Sequence, residues 1–228
     1  MKQEFNWGDT SHWFKKTITR EIFKDKIYEQ VFPVQKGDVV LDLGASIGPF
    51  TWSIMDKASK IIVVEPSVEL IPIIEKNTTG YPVSIVNKAL VKWDGKEMMS
   101  SVFDNDSGKE KNLHYISKEV ETTSFKSIVE QYNLDRIDFI KTDCEGGEYS
   151  LFTEANMPYL LNNVRNIVGE FHLSSTQQKI EFRYFRDKYL KQFPKYEVFS
   201  LDGVNIKWDL FNDHFLEYYN EVIIHIEV

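Results

Sequence analysis

Residues Val39 to Thr51 read Val-Val-Leu-Asp-Leu-Gly-Ala-Ser-Ile-Gly-Pro-Phe-Thr, and a second apolar run, Ile61-Ile62-Val63-Val64, ends on Glu65. An apolar run without polar alternation suits a strand buried on both faces, as strands of parallel sheets are. The glycines turn the chain, and Pro49 fits a first helical position because its missing N–H would find no intrahelical partner there. Strand, glycine turn, helix and an acid at the tip of the next strand confine the chain to a βαβ unit, with a ligand pocket at the carboxyl edge of its sheet.

The rest of the sequence continues this alternation. Further strands are expected at 39–43, 60–65, 83–86, 136–142, 166–171, 196–201 and 222–228. Helices are expected at 49–57, 68–76, 123–132, 149–156 and 177–191, with Pro72 an awkward interior residue in the second. Thr10 to Phe32 reads as helical, since Phe14, Ile18, Ile22, Phe23, Ile27 and Val31 recur at helix-like spacing and Pro33 ends the run. Between 91 and 120 the pattern fails, and Gly95, Asp104, Asn105, Asp106 and Gly108 signal turns between short antiparallel strands. The expectation is an α/β fold: a mostly parallel seven-stranded sheet with helices on both faces, its last two strands antiparallel at one edge. One domain spans 1–228, with 1–36 an N-terminal helical segment and candidate lid, and 37–228 the core.

Composition narrows the partners. A net charge of −8 without a dense basic stripe argues against nucleic acid. Cys144 is the only cysteine, which excludes an internal disulfide and a zinc cluster. The first ten residues lack the apolar core of a signal peptide, and no apolar run approaches the ~20 residues that span a bilayer. A cytoplasmic protein with no membrane span is expected, its oligomeric state open and a homodimer among the options.

The glycine turn selects among cofactors. A dinucleotide site wants Gly-x-Gly-x-x-Gly and a nucleoside-triphosphate loop ends in Gly-Lys-Ser/Thr. Here Gly44 and Gly48 stand four apart and Pro49-Phe50 follows. A cofactor without phosphates relaxes both demands, and S-adenosyl-L-methionine fits. Asp42 is placed for its ammonium, backbone amides of Gly44, Ala45, Ser46 and Gly48 for its carboxylate, and Glu65 for its ribose hydroxyls. Pro66 and Ser67 follow Glu65 in the same pocket.

Val-Leu-Asp-Leu-Gly-Ala-Ser-Ile-Gly, followed by Val-Val-Glu-Pro-Ser, resembles motifs one and two of class I S-adenosylmethionine-dependent methyltransferases. Residues Lys141-Thr142-Asp143-Cys144-Glu145-Gly146-Gly147-Glu148 are similar to the Lys-x-Asp-x-Glu-Gly-x-Glu signature of the FkbM-type members. Asn87-Lys88-Ala89-Leu90 and Glu170-Phe171-His172 resemble that family's third- and fifth-strand endings. The resemblance spans about 39–172; Cys144 and Gly147 depart from it, at positions where an aliphatic residue and Ala are usual. It implies a Rossmann-like sheet and O-methylation of a small hydroxylated acceptor, a sugar or glycoside foremost. It also places Ala89 near the adenine and Asp143 near the methionine end.

Alkylating a hydroxyl requires that its proton leave as the bond forms. His172 is the preferred base because an unperturbed imidazole is largely neutral at physiological pH; Asp143 and Glu170 complete the candidate catalytic set. A histidine that merely bonds a loop carbonyl is the competing reading. Glu148 reads as an acid favouring a helix N-terminus. Asp143, Glu145, Glu170 and His172 are also the donor types of a divalent-cation site, which is open but not favoured. The aromatic groups at Trp7, His12, Trp13 and Phe14, and at Trp208, Phe211, His214, Phe215, Tyr218 and Tyr219, either pack the core or border the pocket. An NAD-linked oxidoreductase and a non-catalytic binding module are the rival functions.

Overall fold

Along the first strand Val40 packs on one side of the sheet, Leu41 and Leu43 on the other, so both faces need a cover. The structure is a computed structural model describing residues 3–104, 113–212 and 214–228. Its strands are β1 (Val39–Leu43), β2 (Lys60–Val64), β3 (Val83–Val86), β4 (Ala89–Leu90), β5 (Gly95–Asp104), β6 (Leu113–Thr123), β7 (Ile137–Thr142), β8 (Val164–His172), β9 (Lys195–Phe199) and β10 (Glu221–Glu227). Seven of them form one sheet in the order β3-β2-β1-β7-β8-β10-β9, parallel except for β10. This is the Rossmann-like class I methyltransferase arrangement that the sequence implies. The last two strands pair antiparallel as expected, but β10 inserts between β8 and β9.

Helices α1 (His12–Ile18), α2 (Pro49–Ile54) and α3 (Ile71–Asn77) precede β3, and α4 (Phe125–Gln131), α5 (Met157–Asn163), α6 (Thr176–Tyr184) and α7 (Phe215–Tyr218) follow β6. One buried cluster joins Ile22, Ile27, Tyr28 and Val34 to Val40, Phe50, Ile61, Val63 and Phe139. The N-terminal segment thus covers one sheet face beside α2 and α3. The other face packs Leu41, Ile62, Ile140 and Ile167 against Phe125, Leu160, Phe182 and Phe215.

Several boundaries differ from expectation, and proline accounts for two of them. The second helix starts at Ile71 rather than 68, which puts Pro72 in its first turn, where no N–H is missed. In place of a helix at 149–156, a 3₁₀ turn spans Gly147–Ser150 and α5 begins later, with Pro158 in its first turn. The N-terminal run is not one helix to Phe32: α1 passes into a π-turn, Thr19–Lys24, and ends there. The region from 91 to 120 forms long rather than short strands, β5 pairing with β6 from Gly95↔Thr122 to Asp104↔Leu113, and β4 joining β6. Gly95 and Asp104 therefore lie in strand, while Asn105, Asp106 and Gly108 lie outside the described residues.

Strand order reverses at β1, whose neighbours are β2 and β7, and at such a point the connections leave the two strand ends splayed into a crevice. There the Asp143 N–H donates to the Leu43 carbonyl at 3.0 Å. A Cβ on Gly44 (φ +73°) would stand 1.7 Å from the Asp143 carbonyl oxygen. Only glycine fits that approach. Gly44→Ala should therefore destabilise the protein by about 3 kcal/mol or more in denaturant unfolding. Gly80→Ala, with nothing within 4 Å of its added carbon, should cost about 1 kcal/mol of backbone strain.

Candidate active site

A cavity of about 630 Å³ opens at the carboxyl ends of β1, β2, β7 and β8. Gly44, Ala45, Ser46, Glu65, Pro66, Ser67 and Ala89 form one half of its wall, and Asp143, Glu145 and Glu170 border the other. Two further elements enclose it: Met99, Lys118 and Val120 from the β5–β6 ladder, and Phe14, Ile18 and Tyr28 from the N-terminal segment. Lys118 joins the hairpin to the loop after β2 through an ion pair with Glu69 at 2.5 Å.

Glu65 is the acid that the strand-tip position predicts. Its Oε2 accepts from the Ser46 N–H and its Oε1 from the Ser67 N–H, each at 2.8 Å. Burial pushes its carboxyl pKa up in spite of these two amides. Ser46 supplies its N–H from a left-handed conformation (φ +52°).

Other residues of the turn are placed differently from the sequence expectation. Asp42 is fully buried beneath the cavity and absent from its wall: Thr51 donates to its Oδ2 at 2.6 Å, and its Oδ1 lies 3.5 Å from Lys141 Nζ with no hydrogen bond. Gly48 is the left-handed cap of α2, also off the wall. The N–H groups of Gly44 and Ala45 donate to the Val64 carbonyl and that of Gly48 to the Ala45 carbonyl. Together with the Ser46–Glu65 bond, this leaves none of those four amides free for a cofactor carboxylate in this conformation.

The second half of the site is a cluster of ionisable groups. Asp143, Glu170 and His172 each bring a ligand-type atom within 4.8 Å of the others, a candidate cation set that does not include Glu145. Tyr28 Oη donates to Asp143 Oδ2 at 3.0 Å and stands 3.3 Å from Glu170 Oε2. Lys141, buried, donates to the Gly44 carbonyl at 2.6 Å and lies 3.7 Å from Asp143. Glu148 stands in the first turn of the 3₁₀ helix, as expected, but is fully buried and accepts from the Gly146 and His172 N–H groups, both at 2.8 Å. It also faces His172 Nδ1 at 3.3 Å, while Nε2 faces Glu145 at 3.4 Å and Glu170 at 3.8 Å. Burial works against the imidazolium, but Glu148, then Asp143 and Glu145, outweigh it and push the His172 pKa up to about 10. Burial and the charge of Asp143 push Glu170 up to about 9. Burial raises the Cys144 thiol to about 12, so it is no nucleophile at neutral pH.

Tyr28 and Lys141 escaped the sequence reading as site residues. Lys141 had a signal in the Lys-x-Asp pattern; Tyr28 had none, because only the tertiary fold brings it 115 positions along the chain to Asp143. Of the aromatic groups, Trp7 packs edge-on against Phe5, Phe14 borders the cavity and Trp13 is exposed. Phe215 is core, Trp208 and Tyr218 are exposed, and none of the second group lines the cavity.

Residues 42–199 match the family described as the methyltransferase FkbM domain. The chain belongs to this family. It is also 31% identical over 71 residues to ribosomal RNA small subunit methyltransferase A of Alkaliphilus oremlandii, and 31% over 72 residues to the protein of that name in Alkaliphilus metalliredigens. Each likeness spans 31% of this chain and a quarter of the relative, 25% of its length. A putative methyltransferase from Streptococcus mutans, in complex with SAH, shares the fold at a TM-score of 0.52 and 8% identity, over 90% of this chain and 95% of that one. The fibrillarin pre-rRNA processing protein of Methanococcus jannaschii does so at 0.50 and 10%, over 87% and 69%. The FkbM match begins at Asp42, so Phe14, Ile18, Glu21 and Tyr28 reach the cavity from outside it.

The raised His172 pKa carries a stability consequence. A histidine whose folded pKa lies above its unfolded value of ~6.5 stabilises the fold fully below that value and ceases to as pH rises through the folded one. Glu170, also raised, acts in the same direction. Melting temperature should fall as pH rises from about 6.5 towards 10, and Glu148→Gln should flatten that fall. A His172 ring resonance titrating near pH 6.5 would contradict it.

Proposed function

We propose that the protein transfers a methyl group from S-adenosyl-L-methionine to a hydroxyl oxygen of a small-molecule acceptor, with a sugar or glycoside the preferred scaffold. The observation that carries this reading is Glu65, a strand-tip carboxylate oriented by two backbone amides on a cavity wall, in a chain of the FkbM family. The residues suit the cofactor: Glu65 for ribose hydroxyls, Ala89, Leu90, Met99 and Val120 as an apolar slot for the base, and Asp143 for a cationic methionine end. When bound, S-adenosylmethionine supplies a methyl group activated by its sulfonium.

The chain's own contribution is alignment and proton handling. The N-terminal segment and the β5–β6 hairpin border the cavity and restrict the approach of the acceptor. His172, preferred as base on sequence, is the poorer choice because it does not line the cavity and both its ring nitrogens face carboxylates, Nδ1 that of Glu148 and Nε2 those of Glu145 and Glu170. Glu170 takes that role, with His172 as the cation that stabilises its ionised form. The two titrate as a pair, so activity should rise with pH as the pair loses its proton. No step is assigned to a divalent cation.

An NAD-linked reaction is disfavoured by the absent third glycine of the turn. RNA as acceptor has its support in the ribosomal RNA enzymes, but that likeness spans a quarter of their length and the net charge of −8 opposes it. The single cysteine agrees with a cytoplasmic setting, and no helix among the described residues is long and apolar enough to cross a membrane.

Calorimetry should show S-adenosylmethionine and S-adenosylhomocysteine binding, weakened about 10- to 100-fold by Glu65→Ala. No binding of either would refute the reading. With labelled cofactor and a panel of sugars, glycosides and phenols, Glu170→Gln should lower turnover about 100-fold or more at unchanged cofactor affinity. An unchanged rate removes Glu170 from the role, and cofactor binding without transfer to any acceptor favours the non-catalytic module.

A further inference from the structure

The acceptor side of the cavity is more acidic than a neutral hydroxylated ligand requires. Glu21, Asp143, Glu145 and Glu170 stand on its wall, and Glu221 pairs with His172 in the β8–β10 ladder. The cations nearby are already engaged. Lys141 is held by the Gly44 carbonyl, Asp42 and Asp143, and His172 by Glu145, Glu148 and Glu170. Lys118, the other lysine on the wall, pairs with Glu69.

Glu65 and Glu148 are each fixed in place by two backbone N–H groups. Among the described residues no backbone amide donates to the carboxylates of Glu21, Glu145 or Glu170. Glu21 stands on the π-turn after α1 with its side chain 15% exposed, and its one ion pair among the described residues is to Arg20 at 2.8 Å, an arm 60% exposed and so weakly held. Burial, then Glu221 and Asp143, raise its carboxyl pKa against the pull of Arg20. Carboxylates that repel one another around a cavity attract a cation into it and turn anions away.

We propose, on the basis of the methyl-transfer reading above, that the acceptor carries a protonated amino group near the hydroxyl to be methylated, and that Glu21 is the specificity-determining residue that reads it. An amino sugar is the simplest molecule of this class. The same charge rejects uronic acids and phosphorylated acceptors. Glu21 lies outside residues 42–199, so this selectivity belongs to the N-terminal segment and not to the part of the chain that the family shares.

The test is binding of glucosamine, glucose and glucuronate to the S-adenosylhomocysteine-loaded protein, read by ligand-observed NMR after calorimetry has shown loading. Glucosamine should bind about tenfold tighter than glucose and glucuronate weakest, with the advantage shrinking in about 0.5 M sodium chloride. Glu21→Gln should remove most of that advantage and Glu21→Lys invert it, both at unchanged affinity for S-adenosylhomocysteine. Glucose or glucuronate binding as well as glucosamine, no measurable glucosamine binding, or an amine preference intact in both variants would overturn the inference while leaving the cofactor reading standing. Failure of S-adenosylhomocysteine to bind would bring down both.

Discussion

Lys141 is a charged amine buried where the ends of β1 and β7 meet, and the rest of the site is arranged around it. Burial works against its charge, yet Asp42 and then Asp143 keep its pKa above the ordinary lysine value, and the Gly44 carbonyl takes one of its protons. Removing both acids would strand a buried charge, a loss on the order of 3–5 kcal/mol. The amine therefore ties Asp42 below the cavity to Asp143 on its wall. Because Gly44 has no side chain, the two strand ends close to backbone contact at the place where the sheet order reverses. The crevice beyond that junction is the cavity.

The cavity has two halves with different physics. Around Glu65 the polar groups are satisfied from within: amides of Ser46 and Ser67 orient the carboxylate, and the other amides of the turn bond back into the fold. Around Asp143, Glu145 and Glu170 the charges compete instead, and one tyrosine hydroxyl and one histidine serve several acids. Such a cluster is poised to exchange a proton and to respond to the charge of what enters. The family match covers the first half and the acids at the ends of β7 and β8. The N-terminal segment, which precedes the match, adds Tyr28 and Glu21.

The β1 run, its glycine turn and Glu65 were legible in the sequence because the determinants are local: strand burial, a backbone approach only glycine permits, and a carboxylate at a strand tip. A mostly parallel sheet with an antiparallel edge followed from the same alternation; the order of its strands did not. Tyr28 and Glu21 were not legible, because a helical spacing records which face is apolar and not which strand ends that face will cover. The length of β5 and β6 was hidden as well: their residues are mixed in polarity, and what organises them is each other's backbone. His172 was singled out but its surroundings were not, since the buried Glu148 reaches its ring only in the folded chain. Asp42 is the opposite case, a residue legible in the motif whose buried side chain is absent from the cavity wall.

A crystal structure of the complex with S-adenosylhomocysteine tests the central assignment most directly. The expected result is ribose hydroxyls within hydrogen-bond distance of the Glu65 carboxylate, the adenine against Ala89 and Leu90, and the thioether facing the side of the cavity that carries Asp143 and Glu170. A ligand bound elsewhere, or one that leaves Glu65 bonded to Ser46 and Ser67 alone, would contradict it.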